Sequence, residues 1–385
     1  MKLRAIVFVL TCSIVLSACG GQTSVQQNVP PTTSGKDNAL ATKIQLDTVQ
    51  PGTRLFYRLS QDGTKLVTYI SSETQPNDTS LRGAMLYNLN TGVKNKIDVG
   101  WLVPGSVVFS PKGDAFTYRT VMTPSKAYVY SIDTGHSLTF AQSSNTSLLS
   151  NEVLESGPRS FVWGASGTEL YYIEGGFGTD SKIMKAELQS LSTKQVIDLS
   201  DGQQIYGLTI LNSEKSIAFI VFDSLSGESS KSGIYVANAD GSSAEILTKA
   251  ILPQYARVSS AGTRLLVETP GDKMFWVDTQ DKASHYLPVH QVLPTGATLS
   301  VDGVTILYAD VITSSDKSMQ RALHLLNTNS SRSDVIYTEV GDTPRFVDAD
   351  QPLDWSNKGT TAVRTDWSTI SIVTLEKGTR LQWKG

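Results

Sequence analysis

The feature that most constrains this chain is a unit recurring about every 50 residues, in which short apolar, aromatic-rich stretches alternate with tight-turn residues. Its turn glycines fall at Gly63, Gly113, Gly167, Gly262, Gly303 and Gly359, and Asn212-Ser213-Glu214-Lys215 stands where a further one would fit. One unit made only of strands cannot bury both faces of its own sheet, so successive sheets must stack, and a ring lets every face find a neighbour. The prediction is an all-β chain with a single β-propeller of seven four-stranded blades, six or eight being the alternatives. A pair of β-sandwiches is the rival arrangement, but sandwiches need no regular period.

The second unit shows the pattern in full. Residues 106–110 read as an innermost strand, Pro111-Lys112-Gly113 as a turn and 115–119 as the returning strand. A third strand over 127–132, the turn Asp133-Thr134-Gly135 and a fourth strand over 137–140 complete it. Pro presets φ, Gly accepts a positive φ, and Asp or Asn closes a turn with its own side chain. The same order returns from Ser60-Gln61-Asp62-Gly63 to Trp355-Ser356-Asn357-Lys358-Gly359. The ring must close, because an open one leaves two sheet edges exposed. The last unit reads as holding all four of its strands, the final one over 379–383. Residues 44–49 then either add an outer strand to that blade or pack beside it, and deleting 43–50 is expected to lower stability.

Ahead of the repeats, Lys2 and Arg4 precede an apolar run over 5–16, too short to span a bilayer and closed by Leu16-Ser17-Ala18-Cys19. These residues resemble the lipobox of bacterial lipoproteins, and the resemblance covers them alone. It implies cleavage before Cys19 and a lipid on its thiol; an ordinary secretory signal is the alternative. The chain then divides into a lipoprotein signal peptide over 1–18, a disordered, lipid-anchored tether over 19–42, rich in Gln, Ser, Thr, Pro and Gly, and the propeller over 43–385. Acyl chains suffice to hold such a domain at a cell membrane or outer membrane, on the extracytoplasmic side, and by the same resemblance Gly20 favours the outer one.

Of the 2 cysteines, Cys12 leaves with the signal, so the mature chain forms no internal disulfide despite its expected export. Loss of Lys2 and Arg4 leaves 31 basic against 36 acidic residues, a net charge near −5 that argues against nucleic acid as a partner.

Taken together, an aromatic-Ser-Pro-Asp-Gly turn, a strand and a Leu-Tyr-x-x-Asn/Asp-x-x-Thr-Gly hairpin resemble the TolB-type WD40-like propeller repeat. They are also similar to the propeller of prolyl oligopeptidase-type enzymes. The resemblance covers roughly residues 53–385, with Phe109-Ser110-Pro111-Lys112-Gly113 and Trp355-Ser356-Asn357-Lys358-Gly359 nearest the full turn motif. TolB carries an α/β domain before its propeller, and the prolyl oligopeptidase-type enzymes carry an α/β-hydrolase domain after it. Neither has a counterpart in this sequence, so no catalytic machinery is carried over.

In a propeller the loops after second strands and between blades share one face. Here those connections, over 71–83, 142–159, 223–233, 310–321 and 340–353, are long, which places any binding surface there. The sequence has no nucleophile elbow, no His-Glu-x-x-His and no phosphate-binding loop. The 4 histidines, His136, His285, His290 and His324, read as exposed loop residues; a zinc site on His285 and His290 would need a third ligand. Asp348, Asp350 and Asp354 are weak Ca²⁺ candidates, lacking the glycine and bidentate Glu of an EF-hand. Asn238-Ala239-Asp240-Gly241 reads as a hairpin turn rather than a metal loop.

Trp163 and Trp355 read as packing between blades and Trp276 and Trp383 as core, whereas Trp101, and Trp367 with Arg364 and Asp366, fall on the loop face. These could anchor a protein or stack on a sugar, packing being the alternative. The expected function is a monomeric, non-enzymatic, lipid-anchored scaffold binding another envelope protein, with no cofactor. A glycan or small-molecule binder, or an enzyme at the channel mouth, are the alternatives.

Overall fold

The turns that open several repeats are held by their own side chains. In a computed structural model of the chain, the Ser60 hydroxyl donates to Asp62 (2.6 Å) and accepts from the backbone N–H of Lys65 (2.9 Å), while Thr64 N–H donates to Asp62 (3.1 Å). Ser300 and Asp302 repeat this arrangement, and Ser110 forms a variant with Asp114. The serine is therefore a structural acceptor that fixes a 180° reversal, and its burial follows from that role. The structure describes residues 42–46, 55–70, 82–120, 124–142, 159–175, 181–199, 203–211, 215–223, 231–249, 257–268, 274–288, 292–313, 319–340, 354–366 and 369–375, all within the unit Lys36–Gly385.

The strands number 27 among these residues. After β1 (Thr42–Gln45), blade 1 is β2 (Leu55–Leu59), β3 (Lys65–Ile70), β4 (Ala84–Asn88) and β5 (Lys94–Ile97). Blade 2 is β6 (Val108–Phe109), β7 (Ala115–Arg119), β8 (Lys126–Ser131) and β9 (His136–Gln142); blade 3 is β10 (Arg159–Trp163), β11 (Glu169–Glu174), β12 (Lys182–Glu187) and β13 (Ser192–Asp198). Blade 4 is β14 (Gln203–Leu211), β15 (Ser216–Asp223), β16 (Gly233–Asn238) and β17 (Glu245–Lys249); blade 5 is β18 (Arg257–Ala261), β19 (Arg264–Glu268), β20 (Phe275–Asp278) and β21 (Ser284–Tyr286). Blade 6 is β22 (Val292–Leu299), β23 (Thr305–Thr313), β24 (Met319–Asn327) and β25 (Arg332–Val340), and β26 (Thr360–Asp366) and β27 (Thr369–Thr374) follow.

Each blade is an antiparallel meander in chain order. The sequence predicts seven four-stranded blades; the structure has six, and the last repeat forms a three-stranded closing sheet of order β1-β27-β26. Thr42 to Gln45 pair antiparallel with Ile372 to Thr369, so the N-terminal strand takes the outer edge of β27. That edge was the one expected to receive residues 379–383, which lie outside the described residues. Closure is completed on the inner side. Arg58 of β2 forms an ion pair with Asp354 (3.1 Å), Leu59 N–H donates to the same carboxylate (2.8 Å), and Asn357 N–H donates to the Gln61 carbonyl (2.6 Å).

The core is a series of seams, each made from one face of a sheet and the opposing face of the next. Between blades 3 and 4, Tyr171 and Ile173 meet Ile217, Phe219 and Val221; between blades 4 and 5, Ala218 and Ile220 meet Leu265 and Val267. These sets alternate along the second strands because successive side chains point to opposite faces. A recurring β-bulge enlarges the seams. In blades 2, 3, 4 and 6 the pairing of the third and fourth strands skips one residue, namely Phe140, Val196, Leu247 and Ile336. Phe140, Leu247 and Ile336 are buried as a result, and a bulge also adds the twist a blade needs.

Where the hairpin glycine of Gly92 and Gly135 is replaced, Leu191, Lys282 and Ser331 keep the same left-handed backbone. At Gly241 (φ 88°) the glycine is required twice over, since an added Cβ would sit on the carbonyl oxygen of Val196 in the preceding blade.

Candidate functional site

The second strands run towards one common face, and the residues four and five positions along them separate the seams into two kinds. At the seam of blades 3 and 4 this level is Ile173 and Val221, both buried. At the seam of blades 2 and 3 the register places Arg119 and Glu174 there, and at the seam of blades 5 and 6 it places Glu268 and Asp310. Arg119, Glu268 and Asp310 are 2%, 5% and 0% exposed, and Glu174 is half-buried. Charges are rarely buried to this depth, which makes this level of the loop face the candidate functional site.

The environment of these groups is polar but confined. Burial, with the like charge of Arg159 adding to it, lowers the Arg119 guanidinium to about 10. Arg159, at the start of β10, donates to the carbonyls of Gly175 and Ile205 (3.2 Å for the latter) and so ties blade 3 to blade 4. The next residue, Ser160, has a φ of 53° at a bulge of the inner strand, and its hydroxyl reaches the Tyr206 carbonyl (3.3 Å). A left-handed serine inside a strand is strained, and such strain gathers at functional positions. Burial raises the Glu174 carboxyl, against the opposing pull of Lys182.

The predicted residues divide around this level. Trp101 is half-buried, packs against the cluster that joins blade 1 to the closing sheet, and has the Arg82 guanidinium 5.9 Å from its ring centre. Arg364 and Asp366 lie on β26, while Trp367, Asp348, Asp350, Trp383, His290 and Cys19 lie outside the described residues. Asp354, a weak Ca²⁺ candidate by sequence, is the ring-closing partner of Arg58. Burial raises its carboxyl, and Arg58 and the Leu59 N–H pull against that. Among the described residues no group of three His, Cys, Asp or Glu could hold a metal ion. Trp163 donates to the Val108 carbonyl across the blade 2–3 seam (2.9 Å), and Trp276 is buried, as packing roles require.

The expectation of exposed loop histidines is corrected for two of the four. His324 lies on β24, 7% exposed, stacked on Tyr308 with ring centres 4.6 Å apart; His285 lies on β21, stacked on Trp276 at 4.0 Å. Each is the cross-strand partner of the aromatic it covers, a contact that periodicity cannot show. Ser333, His324 and Asp310 have the composition of a nucleophile relay but not its geometry. The ring nitrogens are 3.5 Å from Ser333 Oγ and 4.0 Å from Asp310 Oδ2, and the Ser333 hydroxyl is shared with Tyr308 at 2.9 Å.

Arg119, Glu174, Glu268 and Asp310 are not identified by sequence alone. The available signal is a charge at the end of an apolar second strand, as in Leu170-Tyr171-Tyr172-Ile173-Glu174.

Fold and face together define a β-propeller with four-stranded blades. No protein-family model matches the chain, and no curated protein matches it. Among solved structures it is similar to oligogalacturonate lyase from Vibrio parahaemolyticus (TM-score 0.59, 12% identity, 88% of this chain and 100% of that one). It is also similar to an oligogalacturonate lyase in complex with manganese (TM-score 0.57, 13% identity, 90% and 100%). TolB from Acinetobacter baumannii superposes at a TM-score of 0.47, with 12% identity over 76% and 64% of the chains, too loosely to carry weight. At these identities the likeness shows the fold alone.

Proposed function

We propose that this protein is a monomeric, lipid-anchored, extracytoplasmic propeller that acts as a non-enzymatic scaffold, holding a protein partner at the cell envelope through its loop-rich face. The observation that carries the reading is the asymmetry between the two faces. On the turn face, the side chains of Ser60, Asp62, Asn88, Ser300, Asp302 and Asn327 are engaged in closing their own turns. On the opposite face the second strands of blades 2, 3, 5 and 6 carry buried or half-buried charges near their ends, where polar recognition can be varied without disturbing the blades. The signal peptide over 1–18, the tether over 19–42 and the lipid on Cys19 rest on the Leu16-Ser17-Ala18-Cys19 pattern.

Two experiments test this. In cells fed labelled palmitate, the wild-type protein should take up label and sediment with membranes, and Cys19→Ala should do neither; an unlabelled wild type removes the anchor. Photo-crosslinkers at the exposed residues Arg82 and Asp98 on the loop face should capture one envelope protein from intact cells, whereas crosslinkers at Lys112 and Asn90 on the turn face should not. Equal capture from both faces, or none, would sink the scaffold reading.

A further inference from the structure

The outer edge of β27 has two claimants within this chain. In each of the six blades the residue after the third strand donates its N–H to the carbonyl of the residue just ahead of the second strand: Leu89 to Thr64, Ile132 to Asp114, Leu188 to Thr168, Ala239 to Lys215, Thr279 to Thr263 and Thr328 to Val304 (2.8 to 3.1 Å). That bond fixes where the hairpin to the fourth strand begins. In blades 1, 2, 3, 5 and 6 a left-handed residue follows three positions later, at Gly92, Gly135, Leu191, Lys282 and Ser331. Eight positions after the donor, in the fourth strand or just past it, every blade has an apolar residue: Ile97, Phe140, Val196, Leu247, Leu287 and Ile336, all buried except Val196. In the closing sheet the same bond runs from Leu375 to the Gly359 carbonyl (2.8 Å). Counted from Leu375, Gly378 falls at the left-handed position and Trp383 at the apolar one.

Residues 379–383, which lie outside the described residues, therefore carry the grammar of a fourth strand, yet the edge of β27 is taken by β1, with Thr42 opposite Ile372 and Ile44 opposite Ile370. In blade 2 the hairpin register sets Leu138 opposite Val129. Carried over with Leu375 in the place of Ile132, it sets Leu381 opposite Ile372, where Thr42 stands, and brings Trp383 to the level of Ile44. Ile370 and Ile372 belong to the cluster shared with blade 1, and β1 enters it with Ile44 and Leu46. Both segments alternate in the same way, Ile44 and Leu46 around Gln45, Leu381 and Trp383 around Gln382, so either meets the demand of that face. One edge cannot hold both.

We propose that the outer edge of β27 is a strand-exchange site: β1 is its main occupant, and residues 379–383 replace it in a minor state. β1 is only 4 residues long, and a short edge strand opens locally well before a domain unfolds. The closing sheet keeps an outer strand in both states, so the ring stays shut. What changes is the N-terminal side, where departure of β1 frees the chain up to β2, about 40 Å when extended. On the lipid-anchor reading this lengthens the reach of the propeller from the membrane; the exchange itself does not depend on the lipid.

The test is amide hydrogen exchange, read by mass spectrometry on fragments covering 42–46 and 379–383. It uses the mature chain carrying Cys19→Ala, so that failure of the anchor leaves the readout untouched. Leu381→Asp together with Trp383→Asp disables the minor occupant and should slow exchange of β1 by about threefold or more, because the main route of its release is gone. Ile44→Asp should do the reverse and slow exchange of 379–383 by a similar factor; should it fail to fold, Ile44→Ala is read in the same way. The proposal requires both responses. Exchange of β1 that is unchanged or faster in the first variant overturns it. So does a second variant in which 379–383 exchange no more slowly than in wild type, since that segment then pairs elsewhere or onto β1 itself.

Discussion

The seams on either side of blade 5 are built on the same register and filled differently. Towards blade 4, the end of the second strand of blade 4 is apolar at this level, with Ile220 in one cluster with Leu265, Val267 and Phe275. Towards blade 6, the equivalent level carries Glu268 and Asp310, the stacked histidines lie just below it, and Arg264 fastens the opposite end. An apolar seam is held by area removed from water and tolerates any pH; a polar seam is held by geometry and depends on the protonation state of its groups. Ring closure demands only that each seam fill its space, so polar seams are not needed for the fold. That is why their presence next to the long connections marks them as candidates for function.

The largest break in this contrast would come from moving a charge to the apolar side. Ile220→Glu places a carboxylate at the level of Glu268 but among Leu, Val and Phe side chains, and should cost about 4–5 kcal/mol or prevent folding, measured by denaturant unfolding. A cost under about 1 kcal/mol would mean that this level is open to water in both seams. Removal of residues 42–46 comes next. It strips Ile44 and Leu46, 8% and 5% exposed, from the closing sheet and bares the edge of β27, for an expected loss of about 3–5 kcal/mol. An unchanged melting temperature would deny β1 its closing role.

Arg264 tests the polar side. Its guanidinium bridges the Gly303 carbonyl, Thr328 and Asn329 of blade 6 and lies 5.2 Å from the Trp276 ring centre. Arg264→Ala should cost about 2–3 kcal/mol, and Arg264→Lys should recover less than half, because an ammonium cannot reproduce the planar fork. Full recovery with Lys would reduce the interaction to simple charge.

These seams also show what a sequence can reveal. The turns were legible because local chemistry fixes them: Ser60-Gln61-Asp62-Gly63 closes on its own atoms, and the same grammar returns at Ser300 and Ser356. Repeats with Leu191, Lys282 or Ser331 at the left-handed position hid part of the pattern, because these exposed residues keep the turn without the glycine that signals it. The closing strand was legible in part: residues 44–49 read as an outer strand of the last blade or as packing beside it, and the pairing of Ile44 with Ile370 decides for the strand, though its register spans nearly the whole chain and leaves no local mark. Nor were the bulges: skipping Phe140 or Ile336 shifts the alternation of an outer strand, so a period of two read from the sequence assigns those faces wrongly. The charged seam level was lost for a related reason. Arg119 and Glu174 end their strands, where a charge is ordinarily read as the step into solvent, yet Arg119 is buried and Glu174 half-buried in the seam of blades 2 and 3.

Glu174 gives the smallest and most discriminating effect. Burial raises its carboxyl in the folded state, so the native protein holds a proton that the unfolded chain has already released, and stability falls as pH rises from the unfolded value of about 4.3 through the raised one. Glu174→Gln removes that penalty without changing the shape of the side chain. The variant should therefore be the more stable at pH 7, by under about 1 kcal/mol because the group keeps part of its hydration, and the advantage should vanish below about pH 4. If Glu174→Gln is instead destabilising at pH 7 and equal to wild type in acid, the carboxylate is stabilised by a cation at the blade 2–3 seam. In that case the seam between blades 2 and 3 is locked by charge pairing.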